Sequence, residues 1–339
     1  MRAPRPNSIP IACFALYLGC LLPAAPQEKD AHLTKLPAGQ NVLWQDPGNV
    51  EARDLVWGAG GEANQPRAPF QFIKEELSGT TPKIQVKDAT GTTWVVKFGE
   101  EAKPSAFATR LVWACGYTVG NEYLIPHGTI TGARGLKRAA AWVHANGSFI
   151  EGRFQMRSDH PKFVADHSWA WNSNPFLGTP ELNGLRILVM LLSNWDTKDA
   201  RDLTRGDELD SNLAIFEDSD ANGPRYLYFV SDWGASLGNW GGISKRSKLD
   251  CKGFAAQTPD FVQGADGGVA RWGYVGKHND DIVKNIRVSD VQWLMQYLGR
   301  ITDDQLRQGL AASGATPEQM QCFVGSLRQR IDQLRALQK

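Results

Sequence analysis

The chain has little of what would assign it quickly. Its 339 residues include five cysteines, none in a Cys-X-X-Cys pair, so that zinc-binding spacing is absent. Six histidines show no His-Glu-X-X-His or other paired ligand spacing. Charge of one sign is missing too: 37 Lys and Arg face 36 Asp and Glu, a net charge of +1. That balance removes the electrostatic case for nucleic acid or an anionic membrane surface as partner. There is no nucleophile elbow, Walker loop or dinucleotide fingerprint, and no internal repeat or low-complexity tract. Beyond the first 26 residues, no apolar run approaches membrane-spanning length.

What is there begins with "MRAPRPNSIPIACFALYLGCLLPAAPQ". Basic Arg2 and Arg5, an apolar run from Ile9 to Leu22 and then small residues make the layout of a secretory signal peptide over 1–26. The protein is therefore expected to be exported, to the periplasm, the cell envelope or the exterior. Gly19-Cys20 raises a lipoprotein cleavage site, although Tyr17 and Leu18 fit that pattern poorly. An uncleaved leader would be an anchor, the single membrane contact expected. Without the leader, Cys115, Cys251 and Cys322 remain. An odd count at wide spacing predicts no disulfide framework, and Cys115 inside "RLVWACGY" predicts a buried, inert thiol.

A hydrophobic fraction of 42% and a charged fraction of 22% describe a globular protein of one large domain or two lobes. Twelve Trp residues point to aromatic core and lobe interfaces more than to a sugar or base platform. Residues 27–65 are polar and rich in Gly, Pro, Asn and Gln, and read as an irregular extension draped over the domain. From Phe70, "PFQFIKEEL" and "PKIQVKDATGTTWVVKFGE" alternate as strands, with a turn at Asp88-Ala89-Thr90-Gly91. A helix over Ser105–Cys115 stops at Gly116, and "NEYLIPHGTI" and "GSFIEGRFQMR" supply further strands. After Ser158 the pattern turns mainly helical. Thr179 caps "PELNGLRILVMLLSNW", and Ser289, Thr302 and Thr316 cap amphipathic helices over 289–300, 302–313 and 316–337. The fold class is α+β: an antiparallel sheet with one helix over 66–157, a mainly helical unit over 158–339, and a cleft between.

Several residues could carry chemistry there. Lys97 ends the apolar strand "WVVK", a rigid mount for a cation that meets phosphate, or an edge-strand Lys facing water. Gly79, Thr80 and Thr81 form a small-residue turn whose backbone could lie over phosphates, or be only a turn. Asp196 follows the buried helix ending "LLSNW" and could accept a hydroxyl proton, with Lys198 beside it to neutralise transferred charge. Asn212 and Asp232 bound two strands and offer the hard oxygens magnesium prefers, although singly such residues more often cap turns. "DSDANG", Asp218–Gly223, matches half a calcium loop, but Phe229 stands where the bidentate Glu belongs, so a hairpin turn is expected.

Taken together, "WVVKFG", "NWDTKD", "SNLAIF" and "SDWGASLG" resemble the kinase-like superfamily, in a bacterial member of its atypical branch alongside HipA-type, phosphoinositide 3/4- and secretory-pathway kinases. The resemblance spans roughly 66–335 and implies a bilobal protein-kinase-like fold and an ATP- and magnesium-dependent phosphotransferase. By it, Lys97 and the Gly79-Thr80-Thr81 turn bind the nucleotide, Asp196 and Lys198 are catalytic, and Asn212 and Asp232 hold magnesium. The acceptor is a protein, lipid or small molecule. Two departures stand out. The family spaces its catalytic Asp and metal-binding Asn by about five residues, which lands on Arg201, so Asn212 requires a charged insertion. The helix that should offer a Glu to the strand Lys begins Pro104-Ser105-Ala106, leaving Glu100 or Glu101 as substitutes. These departures, with the scarcity of ATP outside the cytoplasm, keep a catalytically silent pseudokinase or binding module open. Oligomeric state is not legible.

Overall fold

A computed structural model describes residues 36–157, 161–164, 167–202, 211–241 and 246–337. The expected leader, with Cys20, lies outside them. Among the described residues no helix is long and apolar enough to cross a membrane.

Five strands of the first half close on themselves: β2 (Phe70–Glu76), β3 (Lys83–Lys87), β4 (Thr93–Lys97), β5 (Glu122–Thr131) and β6 (Ser148–Met156). Their order is β2-β3-β4-β6-β5, and a short parallel pairing of Phe70 and Gln71 with Ile130 and Thr131 shuts the barrel. Alternation turns Phe70, Ile84, Val86, Trp94, Val96, Phe149 and Phe154 into one interior cluster. The expected Asp88 turn is present. The Asp88 carboxylate accepts from Thr90 N, Thr92 N and Trp94 Nε1 at 2.9–3.0 Å, which pins the β3–β4 connection.

Helix α1 (Ala102–Ala114) follows β4, starting three residues earlier than the sequence pattern suggests because Pro104 fits within a first turn. Gly116, at φ +96°, ends it as expected. Phe107, Leu111 and Val112 do not serve the barrel; they enter the large core of the second half. That core is built on α2 (Pro180–Leu191), α5 (Val288–Leu298), α6 (Asp303–Ala312) and α7 (Pro317–Ala336). Thr179, Thr302 and Thr316 each accept a hydrogen bond from the backbone N–H three residues on, as their positions predict. Ser289 does not cap α5. Arg287 takes that position, its N–H held at 2.8 Å by Asp290, because Asp290 can answer both the main chain and the Arg287 guanidinium.

The second half also holds more sheet than its pattern suggested. β8 (Leu213–Asp220) and β9 (Gly223–Val230) form an antiparallel hairpin, flanked by β7 (Lys162–Phe163) and by β1 (Gln40–Val42). "DSDANG" is the hairpin turn. β1 runs parallel to β9, while Leu43, Val50 and Leu55 are buried in the helical core, so the extension is draped over the domain. A small β10 (Val262–Asp266) and β11 (Val269–Trp272) pair, and short helices α3 (Cys251–Ala256) and α4 (Asn279–Val283), complete the order.

One expectation is corrected outright. Cys251 and Cys322 form a disulfide across a separation of 71 residues, joining α3 to α7. An odd cysteine count concealed a real pair, because spacing along the chain carries no information about where two helices meet. Cys115 is buried and free, its thiol pushed up to about 12 by burial alone, as an inert residue should be.

Closing a loop of 71 residues is worth about 4 kcal/mol in the chain-entropy picture. Cys251→Ser together with Cys322→Ser should therefore lower the melting temperature by several degrees. Calorimetry on oxidised, reduced and doubly substituted protein checks this, with the last two expected to coincide.

Candidate functional site

The end of α2 is held unusually firmly for a helix that stops in a loop. Arg330, on α7 and 1% exposed, donates to Leu191 O at 2.7 Å, Ser193 Oγ at 2.9 Å and Phe254 O at 2.8 Å. Its cation at a helix C-terminus answers orphan carbonyls and the dipole together, while burial pushes its pKa down to about 9. Ser193 then turns at φ +50°, and Asn194, Trp195 and Asp196 follow from a fixed point.

Asp196 faces two lysines. Lys277 Nζ lies 3.0 Å from Oδ1 and Lys198 Nζ 3.8 Å from Oδ2. The Asn212 Nδ2 donates to the Asp196 carbonyl at 2.5 Å, its N–H donates to Lys198 O at 3.0 Å, and its own carbonyl accepts from Ser231 N at 2.8 Å. Asn212 thus stitches the Asp196 segment to the strand end that precedes Asp232. The pairing of Leu213 with Val230 sets Asn212 and Asp232 at the same end of the β8–β9 hairpin.

Asp232 meets the barrel. Lys97 Nζ stands 3.4 Å from Oδ2, Gly234 N donates to Oδ1 at 2.8 Å, and Asn194 Nδ2 donates to the Asp232 carbonyl at 3.2 Å. Burial works to raise the carboxyl, but the Lys97 and Arg153 charges and the Gly234 N–H overcome it and hold Asp232 well below the ordinary carboxylate range. Its side chain still keeps 27% of its surface open. The Asn194 Oδ1 is buried and, among the described residues, without a hydrogen-bond partner.

Gly79, at φ +66°, turns the loop between β2 and β3. The Arg138 guanidinium donates to Leu77 O at 2.8 Å, Gly79 O at 2.6 Å and also Thr80 O, clamping that loop by its carbonyls. Glu75 steadies the clamp by accepting from the N–H groups of Lys137, Arg138 and Ala139, each at 2.7 Å. The Thr81 hydroxyl donates to Glu101 Oε2 at 2.5 Å, and Glu101 pairs with Lys248 at 2.6 Å. Neither Glu100 nor Glu101 makes an ion pair with Lys97; Asp232 does. Beside it a strand pair is buried against α1: Glu122 and Arg153, both 1% exposed in their side chains, meet at 3.0 Å, and Ser105 of α1 donates to Glu122 at 3.0 Å.

Lys97 is thus brought to Asp232, Lys198 to the Asp196 side chain and Asn212 to the Asp196 backbone. The residues missed are Arg153, Glu122, Lys277 and Asn194. Arg153 and Glu122 lie on "GRFQMR" and "NEYLIP", where an inward charge on an apolar strand was visible but its partner was not. Lys277 comes from a loop remote in sequence and left no local signal.

A second cluster, Asp199, Asp202 and His278, has ligand atoms within 4.8 Å of one another. The Arg201 guanidinium reaches Asp199 at 2.6 Å and Asp281 at 2.7 Å, and His278 Nε2 lies 2.6 Å from Asp202, so these carboxylates already have protein partners. A surface groove of about 750 Å3 lies between α6 and α7 beside Arg307, Met320 and Arg328, and shares no residue with this site.

Two outcomes follow. Glu122→Leu alone should cost about 3–5 kcal/mol, because it strands the buried Arg153 charge. The double variant with Arg153→Met should regain most of that in urea unfolding. Separately, the lowered Asp232 pKa contributes stability that is present above the unfolded carboxyl value near ~3.9 and lost as pH falls below it. Denaturant midpoints between pH 7 and pH 2 should fall less steeply in Asp232→Asn. No known protein family matches this chain, and neither a curated protein nor a solved structure matches it.

Proposed function

We propose that the protein is an ATP- and magnesium-dependent phosphotransferase of the atypical kinase type, with a bilobal kinase-like fold, acting on an alcohol group in the cell envelope or outside the cell. The observation that carries this reading is the meeting of Lys97 with Asp232 beside the Asp196 loop, from three distant parts of the chain. It is supported by a strand Lys on the third barrel strand, followed at once by a helix, below a turn of small residues. The Cys251–Cys322 bond supports an oxidising compartment and hence export.

The donor set suits magnesium. Asp232 offers a partly open carboxylate held ionised, Asn212 an amide oxygen at the same hairpin end, and the unpartnered Asn194 Oδ1 a third hard oxygen next to Asp232. Asp232, Asn212 and Asn194 would hold the ion, which would supply neutralisation of the charge that develops on phosphate oxygens. Lys97 binds phosphate oxygens once released from Asp232, and the Gly79–Thr81 loop covers them. Asp196 orients the acceptor hydroxyl and takes its proton. As the acceptor oxygen bonds to the γ-phosphorus, the bridging oxygen leaves with its electron pair on ADP. Lys198 and Lys277 border Asp196 and offset the charge on the transferred group.

A second reading, a catalytically silent nucleotide-binding module, is favoured by one observation: α1 offers the Ser105 hydroxyl rather than a carboxylate to the Arg153 guanidinium. The two readings separate cleanly. Mature protein incubated with ATP, magnesium and an acceptor panel should transfer phosphate or autophosphorylate, and Asp196→Ala and Asp232→Ala should each lose at least about a hundredfold in rate. A thermal shift with ATP and no transfer selects the module. Transfer at equal rates in wild type and both variants contradicts the kinase reading. Mass spectrometry of the mature N-terminus decides cleavage after residue 26 against an anchor or a lipidated Cys20.

A further inference from the structure

The strand register holds more than the pairing of Lys97 with Asp232. Lys83, the first residue of β3, is directly opposite Lys97 on β4, and Lys97 is directly opposite Arg153 on β6. Directly opposed residues of antiparallel strands project from the same face. Three cations therefore stand in one row across three neighbouring strands, and the row faces Asp232.

Their counter-charges are unequal. Arg153 has Glu122 at 3.0 Å, and Lys97 has Asp232 at 3.4 Å. Among the described residues Lys83 pairs with Glu76 alone, at 3.9 Å, and Glu76 is already shared with Gln85 and Arg157. Burial pushes the Lys83 ammonium down and the neighbouring Lys97 charge pushes it further, against weaker pulls from Glu76 and Asp232. Arg153, 1% exposed, also keeps Nε and Nη2 without hydrogen-bond partners among the described residues. A row of three cations with donors left over, one of its three carboxylates shared with Arg157, suits a further anion. Lys83 also directly follows Pro82 at the end of the Gly79–Thr81 loop clamped by Arg138, so an anion seated there lies under that loop.

We propose that Lys83 is a second phosphate-contacting residue, forming with Lys97 a two-ammonium seat for consecutive phosphates of a di- or triphosphate, with Arg153 positioning Asp232 beside it. This rests on reading the site as a phosphate site. The seat favours a phosphate chain over a single phosphate, because a chain carries more negative charge and can give each cation its own phosphate group.

The test uses full-length mature protein, with inorganic tripolyphosphate, ATP with magnesium and AMP as separate probes in thermal shift and titration calorimetry. Tripolyphosphate and ATP should stabilise wild type, and AMP should do so far less. Lys83→Met should lose about tenfold or more in affinity for both chains, while Lys83→Arg retains most of it. Without ligand, Lys83→Met should melt no lower than wild type, since a like-charge neighbour of Lys97 has gone; a purely structural Lys83 would melt lower. Undiminished binding in Lys83→Met alongside loss in Lys97→Met overturns this proposal and leaves the phosphotransferase reading standing. No shift of wild type with either chain sinks both. Binding of tripolyphosphate without ATP upholds Lys83 and overturns the nucleotide reading. Acetylation of wild type, followed residue by residue by mass spectrometry, gives an answer without any variant: tripolyphosphate should protect Lys83, and equal labelling with and without it overturns the proposal.

Discussion

The contact on which the site depends is the ion pair between Lys97 and Asp232. It joins the last residue of a barrel strand to the second residue beyond a hairpin strand, elements with separate hydrophobic cores. Neither charge is placed by its own sequence neighbours. Lys97 is fixed by the register of β3, β4 and β6, and Asp232 by the Gly234 N–H and the Asn194 amide. Because both are partly buried, each costs desolvation that the other offsets. The pair therefore holds the barrel strand end against the hairpin end.

Around it the chain spends rigid structure on loop ends. Arg330 stops α2 at a fixed position, Asn212 ties the Asp196 backbone to the hairpin, and Arg138 with Glu75 holds the Gly79 loop. The three devices use side-chain donors or acceptors on main-chain groups, so they position the backbone of the loop ends. The α1 helix packs into the second core through Phe107 and Leu111, which couples the barrel to the helical half without a flexible joint at that point.

Much of the fold was legible because it is local. Caps at Thr179, Thr302 and Thr316, the Asp88 turn and the β8–β9 hairpin all rest on residues within a few positions of one another. The order of Lys97, Asp196, Asn212 and Asp232 was also visible. What escaped was every feature set by long-range pairing: the Cys251–Cys322 bond, the Arg153–Glu122 pair and the approach of Lys277 to Asp196. Ser289 misled because a serine preceding an apolar run suits a cap, yet Asp290 serves Arg287 better. The charged stretch after Asp196 has a partial explanation. Arg201 stands where the compact family spacing would put an Asn, and it is committed to Asp199 and Asp281.

The most direct test is a crystal structure with ATP analogue and magnesium bound. The account predicts that Lys97 leaves Asp232 for phosphate oxygens, that Asp232 joins the metal, and that Asn212 or Asn194 supplies a further oxygen ligand. A nucleotide bound elsewhere, with Lys97 and Asp232 still paired, would contradict it.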